Sequence, residues 1–89
     1  MSLGLAIQQI SNYTSIIGTV AEKIANLEGD LISATTNKND AAIRDIQLRL
    51  TTYKTILGLV KDFLEFWKDM IKSILGLLKS FNELAQGAR

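Results

Sequence analysis

Apolar residues recur along this chain at alternating steps of three and four, in two long runs separated by a polar break. The first run is Leu3, Ala6, Ile10, Tyr13, Ile17, Val20, Ile24, Leu27 and Leu31. That is a heptad seam, and it predicts a helix over about residues 3–33. From Ser33 to Asp40 the chain reads Ser-Ala-Thr-Thr-Asn-Lys-Asn-Asp. Polar β-branched and Asn/Asp residues compete with helical hydrogen bonds and favour turns, so a turn is predicted over 34–40. Asn39 or Asp40 is placed to cap the next helix by accepting an orphan backbone N–H, and Asp40 suits the positive end of its dipole. The second run is Ile43, Ile46, Leu50, Tyr53, Leu57, Val60, Leu64, Trp67, Ile71, Ile74, Leu78, Phe81 and Ala85. It predicts a helix over about 41–85, roughly 70 Å long at 1.5 Å per residue. The fold class is therefore all-α: one domain over 1–89, an antiparallel helix–turn–helix hairpin with a longer second helix. The pattern contains no internal repeat, linker or low-complexity segment.

Folding the second helix back on the first sets Leu31 opposite Ile43, Leu27 opposite Ile46, Ile24 opposite Leu50 and Val20 opposite Tyr53. The pairing runs on to Leu3 opposite Ile71. Two apolar features remain uncovered. From about residue 72 the second helix overhangs the first, yet it still carries Ile74, Leu75, Leu77, Leu78, Phe81 and Leu84. Beside the seam runs a second stripe of Ile56, Leu59, Phe63, Phe66, Met70, Leu77 and Leu84. One partner helix cannot cover both, and a large contiguous apolar surface marks an interaction site. The opposite face is polar, with Lys54, Lys61, Glu65, Lys68, Lys72, Lys79 and Glu83. Glu65 with Lys68, and Asp69 with Lys72, stand three residues apart, where opposite charges pair.

Composition narrows the function. A chain of 89 residues buries a modest core and commonly needs staples or oligomerisation. There is no Cys, so no disulfide and no thiolate metal site, and no His, the commonest general base and metal ligand. No enzyme and no cofactor are expected. Net charge is +1 without a basic block, which gives no footprint for nucleic acid. Residues 1–21 carry no charged side chain, but they lack a basic start and include Gln8, Gln9, Ser11, Asn12, Thr14 and Ser15. They are read as neither a signal peptide nor a membrane span. Export, if it occurs, then proceeds without a cleaved leader.

Other candidate features have plainer readings. Asp62, Glu65 and Asp69 share a surface, but each has a Lys neighbour, so a solvated charged face is expected rather than a metal or catalytic cluster. Asn12-Tyr13-Thr14 fits the glycosylation pattern, with Tyr13 expected to be buried. Trp67, Phe63 and Phe66 fall on apolar stripes and read as packing residues rather than a ligand platform. Gly58 and Gly76 interrupt the polar face and are either neutral or places where a neighbouring backbone comes close. Between Ile56 and Phe81 there are four Lys and three acids. A helix binding anionic lipid is usually more basic on its polar face, so membrane contact is not the expected role.

The second helix resembles the needle-filament subunits of bacterial type III secretion systems, or their inner-rod relatives. The resemblance rests on Asp40-Ala41-Ala42-Ile43, on Ile46-Gln47 with Leu50 and Tyr53, and on Trp67-Lys68-Asp69-Met70-Ile71 with Ile74. It spans roughly residues 20–78. It implies a homo-oligomeric filament of hairpins at the bacterial cell surface, with a dedicated chaperone covering the apolar surface before assembly. Screw-related contacts that do not close give such a filament. Leu64, Trp67, Met70, Ile71, Ile74 and Leu78 are the expected assembly contacts. Gln47, Tyr53, Lys68 and Asp69 carry the family motif, with Lys68 and Asp69 as polar contacts or lining residues. Two alternatives remain open: a small coiled-coil adaptor or chaperone forming a discrete oligomer, and a membrane-surface amphipathic helix protein.

Overall fold

A computed structural model describes residues 2–87. Helix α1 runs Leu3–Thr36 and helix α2 runs Asp40–Gly87. They fold back on one another as an elongated body of 77 × 17 × 15 Å. Ser2 caps α1, its Oγ accepting from the Leu5 amide at 3.1 Å.

The core is the predicted seam. Val20, Ile24 and Leu50 form its buried cluster, with Leu27, Leu31, Ile46, Tyr53 and Leu57 packed against it. Ala6 and Ala34 are buried further out along α1. No large side chain is wholly enclosed among the described residues, as two helices can cover only one stripe on each other.

The turn is shorter than the polar run suggests. Helix α1 continues through Ala34, Thr35 and Thr36, and only residues 37–39 connect the helices. Ala34 is a further buried seam position, which rewards the extra turn. The two threonines meet their own polar needs inside the helix. Thr35 Oγ1 donates to the Leu31 carbonyl at 2.8 Å, and Thr36 Oγ1 to Ile32 at 2.9 Å. The end is closed by a left-handed cap: the Lys38 amide donates to Thr35 at 3.1 Å, and the Asn39 amide to Ala34 at 3.0 Å. Lys38 takes φ 53° there, a place usually filled by glycine. Of the two capping candidates, Asn39 does the work, its Oδ1 accepting from the Ala42 amide at 3.2 Å. Asp40 lies in the first turn of α2. At the other end α2 reaches Gly87, two residues beyond the predicted limit.

Candidate assembly face

Along α2 the seam positions from Ile43 to Ile74 are buried or half-buried, and Leu78, Phe81 and Ala85 are exposed. The change comes where α1 runs out, so the overhang is an isolated helix with an apolar side. Leu75, Leu77, Leu78, Phe81 and Leu84 are 50–69% exposed. In the second stripe Ile56, Leu59, Phe63 and Phe66 are 38–54% exposed, whereas Met70 is half-buried.

Helix α1 contributes to the same side. Tyr13 stacks on Phe63 with ring centroids 5.9 Å apart and planes 21° apart. That contact fixes which flank of α1 adjoins the stripe: the one carrying Tyr13, Ile16 three residues on and Leu5 eight residues back. Leu5 and Ile16 are both exposed. Phe66 meets Trp67 edge-to-face at 5.6 Å. Tyr13, Asp62, Phe63, Phe66 and Trp67 together line an open groove where the two helices meet.

The opposite face is charged and solvated. Lys68 Nζ lies 3.4 Å from Glu65 Oε1, the first of the two anticipated pairs. Asp69 and Lys72 form no ion pair among the described residues. Lys54 reaches Glu28 of α1 at 3.8 Å, and Arg49 pairs with Asp45 at 3.0 Å. All these side chains are largely exposed, so such pairs add little stability. A Cβ built on Gly58 or Gly76 meets nothing within 4 Å, so neither glycine serves a close approach within the chain.

No family model, curated protein or solved structure matches this chain.

The six expected assembly contacts separate into two groups. Leu64, Trp67 and Ile71 are half-buried at seam positions, on the side of α2 that faces α1 of the same hairpin. Met70 and Ile74 are half-buried near the point where α1 ends, and Leu78 is 56% exposed. The surface free to meet another molecule is therefore shifted one stripe over, to Ile56, Leu59, Phe63 and Phe66. Of the family-motif residues, Gln47, Lys68 and Asp69 are exposed, and Tyr53 packs against the core cluster.

The sequence holds an internal repeat after all, and the structure shows its meaning. Residues 54–66 read KTILGLVKDFLEF and residues 72–84 read KSILGLLKSFNEL. Eight of the thirteen positions are identical: Lys, Ile, Leu, Gly, Leu, Lys, Phe and Glu. The spacing is 18 residues, which is about five turns, or about 27 Å, of a straight α-helix. Equivalent residues therefore stand on the same side of α2: Ile56 above Ile74, Leu59 above Leu77, Phe63 above Phe81, Phe66 above Leu84. The first copy is roofed by α1 on its seam side, through Leu57, Val60 and Leu64. The second copy keeps Leu75 and Leu78 at the first two of these seam positions, has Asn82 at the third, and for most of its length extends past the end of α1.

Proposed function

We propose that this chain is a structural subunit that acts by packing against further copies of itself through the second stripe and the overhang of α2. One observation carries the reading. Nine large apolar side chains of α2, from Ile56 to Leu84, are 38–69% exposed along one side of the helix. At about 25 cal/mol per Å² of apolar surface, leaving them in water forgoes many kcal/mol. The chain has no His or Cys, and an architecture of two helices with an open aromatic groove fits a packing role better than a catalytic one.

The resemblance over residues 20–78 supports placing this subunit in the filament of a bacterial type III export apparatus. In that setting it is exported, reaches the cell surface and is held by a chaperone beforehand. A second reading, a discrete coiled-coil oligomer, is favoured by the repeat, because two like stripes on one side of a straight helix suit a single partner. A membrane-surface role is less favoured. The polar face of the stripe-bearing half of α2 mixes its lysines with Asp62, Glu65, Asp69 and Glu83, and so is less basic than a helix lying on anionic lipid usually is. No described helix is long and apolar enough to cross a membrane.

Negative-stain microscopy of the purified chain over a concentration series tests the choice. Long filaments of constant diameter support the export-filament reading. Small particles of fixed size at every concentration reject it in favour of the discrete oligomer.

A further inference from the structure

We infer that two copies of this chain pair antiparallel through α2 about a two-fold axis at Met70, each overhang filling the aromatic groove of the other hairpin. The inference rests on the self-packing reading above, taken as a discrete oligomer rather than a filament, and specifies its geometry.

The apolar positions of the stripe and overhang are Ile56, Leu59, Phe63, Phe66, Met70, Ile74, Leu77, Phe81 and Leu84. Their steps read three, four, three, four to Met70, and then four, three, four, three beyond it. The pattern is the same from either end. Laid antiparallel with Met70 against Met70, every position meets an apolar one: Ile56 meets Leu84, Leu59 meets Phe81, Phe63 meets Leu77, and Phe66 meets Ile74. Each contact occurs twice, as a two-fold interface requires.

The second repeat copy then gains what it lacks. In antiparallel packing like flanks of the two helices face each other. The seam flank of one overhang, with Leu75 and Leu78, therefore lies on the side where the partner's own α1 runs. The flank of α1 that adjoins the stripe carries Tyr13 and the exposed Leu5 and Ile16. Each end of the dimer becomes a three-helix bundle: α1 and α2 of one copy with the overhang of the other. The area suffices. Seven of the stripe positions, Ile56, Leu59, Phe63, Phe66, Leu77, Phe81 and Leu84, together with Leu75 and Leu78 on the seam flank, are 38–69% exposed; given the roughly 200 Å² of an aromatic side chain as an upper figure for each, they present at most about 1000 Å² per chain, against about 800 Å² per partner in a standard specific interface.

The same geometry disfavours a parallel stagger of straight hairpins. Shifting a second copy by 18 residues brings its first repeat beside the second repeat of the first copy. Its own second repeat then faces the same side, because 18 residues is a whole number of turns. A third copy placed there, offset by 36 residues, would put its residues 40–51 where the first copy's 76–87 already lie. One antiparallel partner covers both repeats without that conflict.

The chain has no cysteine, so single-cysteine variants report contacts cleanly. Full-length Met70→Cys, Leu59→Cys, Leu77→Cys and Phe81→Cys are each checked for helicity and for wild-type mass, and then oxidised alone and in pairs. The expected result is a covalent dimer from Met70→Cys alone, none from Leu59→Cys alone, and a dimer from the Leu59→Cys and Phe81→Cys mixture. Self-linking of Leu59→Cys overturns the inference in favour of a parallel in-register pair. Linking of Leu59→Cys to Leu77→Cys without Met70→Cys dimers overturns it in favour of a stagger. Association of the wild type with none of these links also overturns it, while leaving self-packing intact. A wild type that stays monomeric at every concentration removes both.

Discussion

Tyr13 and Phe63 stack across the hairpin at 5.9 Å between ring centroids, one from each helix. The pair sits at the edge of the core, with Tyr13 half-buried and Phe63 52% exposed. It joins two roles: it closes the hairpin on one flank and lines the open groove beside it. A double-mutant cycle of Tyr13→Ala and Phe63→Ala, read by urea unfolding at fixed chain concentration, should give a coupling of about 0.5–1.5 kcal/mol. Additive losses would mean that the rings are neighbours without mutual stabilisation.

The core is small, so its few buried side chains should dominate stability. Leu50 is 6% exposed and lies in the central cluster with Val20 and Ile24. Leu50→Ala should cost about 2–4 kcal/mol, from lost burial and the cavity left behind. Ile32 is 70% exposed, so Ile32→Ala should change stability by less than about 0.5 kcal/mol. Equal losses from the two variants, measured by thermal or urea unfolding, would place the core elsewhere.

The connection offers an improvement that the sequence does not take. Lys38 adopts a left-handed conformation, φ 53°, which costs an L-residue roughly 1 kcal/mol relative to glycine. Part of that gain is lost to glycine's greater freedom in the unfolded chain, so Lys38→Gly should stabilise the hairpin by about 0.5 kcal/mol or somewhat more. Asn39→Ala removes the cap on the Ala42 amide and should cost about 1 kcal/mol. A destabilised Lys38→Gly, with helicity unchanged, would contradict the turn geometry.

Gly58 and Gly76 hold equivalent places in the repeat, on the polar side of α2 with open space around them. Replacing either with alanine should raise stability by about 0.5–1 kcal/mol. It should leave the associated mass unchanged, because both positions point away from the stripe. Loss of association with a gain in helicity would mean that a neighbouring backbone approaches there.

Much of the hairpin is legible in the sequence because Leu, Ile and Val recur at heptad steps from Leu3 to Ile74, and the seam they predict is the one that is buried. The turn was harder to read. Thr35 and Thr36 are poor helix formers by propensity, but their hydroxyls bond back to Leu31 and Ile32 and the buried Ala34 holds the helix in place. The repeat escaped for a different reason. Its 18-residue period is not a multiple of seven, and its members divide between two stripes: Leu57 and Leu75 follow the seam, while Leu59 and Leu77 follow the outer stripe. Reading Ile74 and Phe81 only as seam residues hid their equivalence to Ile56 and Phe63.

If the outer stripe and overhang of α2 meet other copies of this chain, association shows directly in the mass of the protein in solution. The wild type should run well above its 9.8 kDa monomer mass in sedimentation equilibrium at micromolar concentration. Phe66→Asp and Leu77→Asp, both at exposed stripe positions, should fall to the monomer mass while remaining helical. A wild type that sediments as a helical 9.8 kDa monomer across the whole concentration range would contradict the account.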